Sequence, residues 1–246
     1  MFIVGCVAVY NPATGKKEYY LFDEDAEIKW GQAMAQQFIM ENKMVTDPRT
    51  ISYVQNIGEK IGKNSHRSDL TYHFYIIDKN EINAFAIPGG HVFVYKGLLD
   101  KVNRDELAFV LGHEIGHINA RHGLKKLGAS LGFSILSGIL LNDPDQQSVR
   151  QLTDQLYNLV SLGYSRSDEY QADSLGLEYV IKSGYNSSGA ITLLEKFIDE
   201  EKKKGTSYVP VYLRTHPGAG QRIQNIEHKL LELKTLKSSG VNQKPE

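Results

Sequence analysis

Residues 105–122 read Asp-Glu-Leu-Ala-Phe-Val-Leu-Gly-His-Glu-Ile-Gly-His-Ile-Asn-Ala-Arg-His. Leu107, Leu111, Ile115 and Ile118 recur at helical spacing, and Ala108 and Val110 widen the apolar face. Asn103 precedes the run as a cap, with Asp105 and Glu106 supplying acid to the first turn. The polar side chains in the middle of this helix are His113, Glu114 and His117. Residues four apart stack on one helical face, so His113 and His117 can aim two imidazoles at a single tetrahedral zinc ion. Glu114, rotated by about 100°, flanks such an ion without binding it, where a general base is needed. Burying these three side chains without partners is costly. A metal supplies the partners; the plainer alternative is a buried helix whose histidines bond to backbone.

Bulk properties narrow the choice. A chain of 246 residues suits one large domain or two small ones. Its 41% apolar and 23% charged residues are those of an ordinary folded protein. A net charge of −1 leaves no footprint for nucleic acid or an anionic membrane, and no nucleotide cofactor is expected. The single cysteine, Cys6, excludes an internal disulfide and a cysteine-rich zinc site, so histidine and carboxylate must hold the metal. No apolar run reaches the length of a membrane span. The nearest, Leu127 to Leu141, reads as one buried or surface-docking helix, with membrane contact as its rival.

Elsewhere the pattern predicts an α+β chain, predominantly helical, with a small sheet beside the motif helix. Asn11 to Gly15 is a turn and Tyr19 to Phe22 a short strand. Helices are expected over Asp23 to Lys43 and from Asp47-Pro48 to about Gly62. Leu70 to Asp78 is the clearest strand, followed by Asn83 to Ile87, a Pro88-Gly-Gly90 turn and His91 to Tyr95. His73 and His91 read as ordinary sheet histidines. Further helices are expected over Gln147 to Leu162, over Asp168 to Lys182 behind a Ser167 cap, from Asn186 or Ser187 into the charged run Glu200 to Lys204, and over Gln221 to Leu236. Gly205 to Gly220, containing Thr215-His216-Pro217, reads as an irregular loop.

A hydrolytic zinc site needs three protein ligands and one open position. The extended pattern HExxHxxGxxH fails here, because Ala120 and Gly123 stand where Gly and His are required and His122 misses the register by one. The third ligand should then be a carboxylate from a later helix. Glu169 is the candidate, with Asp173 one turn on, placed to accept the free ring N–H of a ligand histidine. Glu178, Glu195 and Asp168 compete on composition.

Together, the His-Glu-Ile-Gly-His motif, Ser165-Arg-Ser-Asp-Glu-Tyr-Gln-Ala-Asp173, Thr215-His-Pro217 with Arg222 downstream, and Asn83-Ala-Phe-Ala-Ile-Pro-Gly-Gly-His-Val-Phe-Val-Tyr-Lys-Gly-Leu-Leu99 form a joint pattern. It resembles the CAAX-prenyl-protease and HtpX heat-shock-protease family of zinc endopeptidases, nearest to its soluble periplasmic members. The likeness runs from Cys6 to about Ile223. It implies a gluzincin fold, one zinc per chain, Glu169 as third ligand and Asp173 as the residue that orients a ligand. It further implies that His216 either donates to the oxyanion or caps the open zinc position. Arg222 would pair with a zinc-site carboxylate or position the loop. Substrate backbone is expected to pair with the free sheet edge at Asn83, Ala84, Phe85 and Ala86.

The resemblance also makes residues 1–22 an N-terminal segment, 23–237 a single metallopeptidase domain and 238–246 a polar tail. Ile3-Val4-Gly5-Cys6 resembles the end of a bacterial lipoprotein signal, which would put a lipid on Cys6 and the protein on a membrane in the periplasm; a short edge strand with a buried cysteine is the other reading. The long apolar spans of the integral-membrane relatives are missing, and the helical-repeat extension that some periplasmic relatives carry is not expected after Arg222. Polypeptide substrates, misfolded or from the envelope, are expected. The rivals are a latent or non-cleaving zinc chaperone and a zinc aminopeptidase.

Overall fold

In the computed structural model of the chain, which describes residues 7–20, 23–204 and 210–238, an antiparallel hairpin comes first: β1 (Val7–Asn11) and β2 (Lys16–Tyr20). Asp23 and Asp47 each accept a backbone N–H and so start α1 (Glu24–Glu41) and α2 (Pro48–Gly62). A second sheet is built from β3 (His73–Ile77), β4 (Ala84–Ile87) and β5 (His91–Tyr95) in the order β3-β5-β4. β3 runs parallel to β5, and β4 turns back on β5 through Gly89 and Gly90, both at positive φ. The short α3 (Lys96–Leu99) leads to α4 (Arg104–Asn119), the motif helix, which opens with a capping box of Asn103 and Glu106. Then follow α5 (His122–Leu131), α6 (Phe133–Leu140), α7 (Gln146–Ser161), α8 (Arg166–Lys182), α9 (Gly189–Lys204), α10 (Val211–Thr215) and α11 (Ala219–Ser238). The fold is α+β and mostly helical.

The three-stranded sheet is covered on both faces. Phe74, Ile76, Ala84, Ala86, Val92 and Val94 pack with α2 and α4, while Ile77, Phe85, Ile87, Phe93 and Tyr95 pack with α1 and α7. Burial on both sides explains why β4 and β5 read as near-continuous apolar runs. Behind the sheet, α4 lies against α8 almost backbone to backbone. A Cβ on Gly112 would stand 3.0 Å from the Gly176 carbonyl, one on Gly116 2.9 Å from the Ala172 carbonyl, and one on Gly176 2.7 Å from the His113 nitrogen. Small residues four apart on each helix thus let α8 approach the motif.

Several boundaries differ from the sequence expectation. Leu127 to Leu141 is not one helix: Gly132, at φ 87°, breaks it into the end of α5 and α6. The cap of α8 is Ser165 rather than Ser167, because Ser165 and Asp168 form a reciprocal capping box. The expected loop before the last helix contains α10, and α11 begins two residues early. The strand expected over Tyr19 to Phe22 starts earlier, at Lys16, where pairing with β1 begins; Leu21 and Phe22 lie outside the described residues. Among the described residues no helix is long and apolar enough to cross a membrane. Cys6 and the residues after 238 lie outside the described residues.

Candidate metal centre

His113 and His117 project from the same face of α4, fully buried, with their Nε2 atoms 3.0 Å apart. α8 brings Glu169 to them: its Oε2 is 3.5 Å from His113 Nε2 and its Oε1 3.5 Å from His117 Nε2. His216, at the end of α10, completes the group, with Nδ1 3.2 Å from His113 Nε2 and 3.2 Å from Glu169 Oε1. The ligating atoms of these four buried residues all lie within 4.8 Å of one another. Four donors around a tetrahedral zinc at about 2.0–2.1 Å stand roughly 3.3 Å apart, so the spacing suits that ion.

Hydrogen-bond direction makes the same case. His113 Nδ1 lies 2.9 Å from Asp173 Oδ1 and 3.4 Å from Arg222 Nη2. The carboxylate can only accept, so Nδ1 carries the hydrogen and Nε2 of the neutral ring is bare. That bare nitrogen points at a second imidazole nitrogen and a carboxylate. Such a crowd of lone pairs is repulsive unless a cation sits among them.

Charge points the same way. Glu114, Glu169 and Asp173 are buried carboxylates facing one buried guanidinium, Arg222. Arg222 Nε and Nη2 donate to Asp173 at 2.8 and 2.7 Å, its Nη1 pairs with Glu169 Oε2 at 2.9 Å, and Nη1 also donates to the His216 carbonyl at 3.2 Å. Burial raises the Glu169 carboxyl, but the neighbouring His216 and Arg222 outweigh it and hold the group well below its usual range. Glu114 is different. Burial dominates and pushes it up, and neither of its oxygens has a hydrogen-bond partner among the described residues. Its Oε1 is 3.4 Å from His216 Nε2. An orphaned buried carboxylate beside a four-donor cluster is the feature a metal-site base would show before substrate arrives.

β4 runs past the cluster as an edge strand. Asn83 is turned inward, its carbonyl accepting the Tyr95 N–H at 3.0 Å, and its side-chain oxygen accepting from Thr215 at 3.3 Å. Phe85 faces the core and stacks on Phe93 with centroids 5.1 Å apart. By strand alternation, Ala84 and Ala86 direct their N–H and C=O groups away from β5; His216 Nε2 lies 3.4 Å from the Ala84 carbonyl. The competing acids stand elsewhere. Asp168 lies 3.5 Å from His122, and Glu178 pairs with Lys182 on the surface.

Two neighbours of His117 are not legible as such in the sequence. Tyr164 stacks on its ring with centroids 4.0 Å apart, and His122 Nδ1 lies 2.8 Å from its Nδ1. A residue five places along a continuous helix would face elsewhere; only the break at Arg121 returns His122 to this side.

Two histidines from one helix, a glutamate from another, and a buried glutamate beside them without a hydrogen bond among the described residues form a donor set that could hold a metal ion. The profile of peptidase family M48 matches residues 48–230, and the chain belongs to that family. Among its relatives, the beta-barrel assembly-enhancing protease of Yersinia pestis is 26% identical over 85% of this chain and 45% of its own length. The mitochondrial metalloendopeptidase OMA1 of Schizosaccharomyces pombe is 30% identical over 91% of this chain and 66% of its own. Metalloprotease YcaL of Escherichia coli K12 is 26% identical over 91% of this chain and 87% of its own. The chain thus spans about half the length of the first of these curated relatives.

Proposed function

We propose that the protein is a zinc endopeptidase held in a closed state. His113, His117 and Glu169 hold the ion, and His216 occupies the fourth position. The observation that carries the reading is the convergence of these four donors beside a buried Glu114 whose oxygens have no hydrogen-bond partner among the described residues. Zinc held there would supply Lewis acidity, which lowers the pKa of a bound water towards about 7. Glu114 would take the proton of an attacking water and deliver it to the leaving amine. Asp173 holds His113 in the tautomer that leaves Nε2 free. Arg222 ties Asp173 and Glu169 to the backbone of His216, so the closing residue and the ligands are bound to one guanidinium.

Opening requires His216 to withdraw from the fourth position. The same movement frees the Ala84 carbonyl, so the β4 edge and the ion become available together. Substrate backbone pairs with Ala84 and Ala86, which favours extended, unfolded chains over particular side chains. Misfolded proteins of the bacterial envelope are the substrate class proposed, on the sequence likeness; a relative's name speaks only of a protease that enhances beta-barrel assembly. Attachment to the membrane through a lipid on Cys6 belongs to the same proposal and rests on the sequence likeness alone.

The closed arrangement also suits a non-cleaving zinc chaperone, since a four-ligand site is the structural kind. Glu114 separates the two, because a scaffold has no need of a buried base. Glu114→Gln is expected to retain one zinc per chain and to lose internal cleavage of casein. Cleavage by that variant, or products shortened only from one end, would contradict the proposal.

A further inference from the structure

Beyond the donors, His122 is buried with both ring nitrogens engaged. Its Nε2 faces acceptors: the Gln171 side-chain oxygen at 3.0 Å and Asp168 Oδ1 at 3.5 Å. That nitrogen therefore carries the hydrogen, and in the neutral ring Nδ1 is an acceptor. Its partner at 2.8 Å, His117 Nδ1, must then be the donor. It follows that His117 Nε2 is bare, and this is the atom 3.0 Å from His113 Nε2. The assignment starts at Gln171 and runs inward, so it does not presuppose an ion.

The local backbone is built for this contact. Arg121 adopts a left-handed conformation, φ 55° and ψ 34°, which few non-glycine residues do. Its Nε donates to Glu27 Oε2 at 2.7 Å, and Arg67 binds the other oxygen of Glu27 at 2.8 Å. The turn lets His122, five residues after His117, face it again.

We propose that His122 is a positioning residue of the metal centre: it accepts the Nδ1–H of His117, and Gln171, by taking the Nε2–H of His122, fixes that direction. Asp173 does this for His113 with a carboxylate; for His117 the same place is filled by a second imidazole. The inference rests on the zinc-site reading above.

The test is zinc affinity, measured by competition with a chromophoric chelator on the full chain. His122→Leu is expected to bind zinc roughly 10–100-fold more weakly. His122→Asn, whose side-chain oxygen can stand in for the accepting nitrogen, is expected to recover most of that loss. Gln171→Leu is a milder second variant, expected to fall between wild type and His122→Leu. Nitrogen-15 NMR of the histidine rings should show a protonated Nδ1 on His117 in the wild type and its exchange protection lost in His122→Leu. Melting of the metal-free forms controls for folding; should His122→Leu fail to fold, Gln171→Leu and the wild-type tautomer decide. Zinc that is lost in Glu169→Ala but held equally tightly by wild type, His122→Leu and Gln171→Leu would overturn this inference alone. A wild type that binds no zinc, or binds it regardless of Glu169, would overturn the reading beneath it.

Discussion

Nδ1 of His216 stands 3.2 Å from Nε2 of His113, as the fourth donor of a cluster in which a hydrolytic zinc site would use three protein ligands and leave one position open. A donor meant for a developing oxyanion would sit beside that position, not in it. Removing the ring should therefore unblock the site. His216→Ala is expected to keep its zinc on three ligands and to cleave casein faster, by roughly tenfold if about a tenth of the wild type is open. Initial rates and metal content per chain check this. A fall in rate with zinc retained would assign His216 to catalysis instead.

The approach of α8 to α4 is as narrow as the glycines allow. A methyl on Gly176 would stand 2.7 Å from the backbone nitrogen of His113. Gly176→Ala must push the helices apart, at about 1–3 kcal/mol, and draw Glu169 away from the histidines with them. The expected result is a melting temperature lower by roughly 2–12 °C, with weaker zinc binding. Gly138→Ala in α6 is the control. A Cβ there meets nothing within 4 Å, so it should be neutral or stabilising by about 0.4–1 kcal/mol. Equal effects from the two changes would mean that the close approach is not what seats Glu169.

Much of the fold and of the candidate donor cluster is legible in the amino-acid sequence, for identifiable reasons. Periodicity and caps locate α1, α2 and α4 almost to the residue, because Asp23, Asp47 and Asn103 satisfy backbone donors locally. The pair His113 and His117 needs only helix geometry. Glu169 is one of four competing acids, since its role depends on how two helices pack, and the glycines that govern the packing look like weak points in a helix rather than contacts. His122 misses the extended motif's register by one and so carries no signal of its own. Nothing local in Arg121 announces a left-handed residue, because that conformation is held by Glu27, 94 positions away. The break at Gly132 is hidden inside a run rich in Leu, Ile, Gly and Ser, where Gly128 and Gly138 look no different from it.

Glu27 is another buried polar residue that no sequence motif singles out. It lies in α1 and accepts from Arg67 at 2.8 Å and Arg121 at 2.7 Å. Removing the shared acceptor takes one partner from each of two mostly buried guanidiniums, while Arg67 keeps Glu24, a loss of about 1–3 kcal/mol. Glu27→Ala is expected to lower the denaturation midpoint accordingly. It should also weaken zinc binding, because the Arg121 turn that presents His122 loses its anchor. Calorimetry of the metal-free protein, followed by chelator competition, separates the two effects. A variant of unchanged stability would show that the network is dispensable.

Away from the metal centre, His91 ties stability to acid. It is buried on β5, its Nδ1 is 3.2 Å from the Tyr75 hydroxyl, and its ring stacks on His73 with centroids 5.0 Å apart. Burial, and then the neighbouring His73, lower its pKa from 6.5 to about 4. The unfolded chain thus takes up a proton near pH 6.5, which the folded chain refuses until about pH 4. The stability held by keeping His91 neutral is complete above 6.5 and is lost as the pH falls from 6.5 through 4. Near pH 4.5 the loss amounts to about 2–3 kcal/mol, or roughly 5–10 °C in melting temperature. The measurement is thermal melting of wild type and His91→Gln at pH 7.5 and 4.5, both with chelator so that acid release of metal does not contribute. The wild type should lose more than the variant by that margin. Parallel losses in the two proteins would place the acid sensitivity in other groups and leave His91 without a part in it.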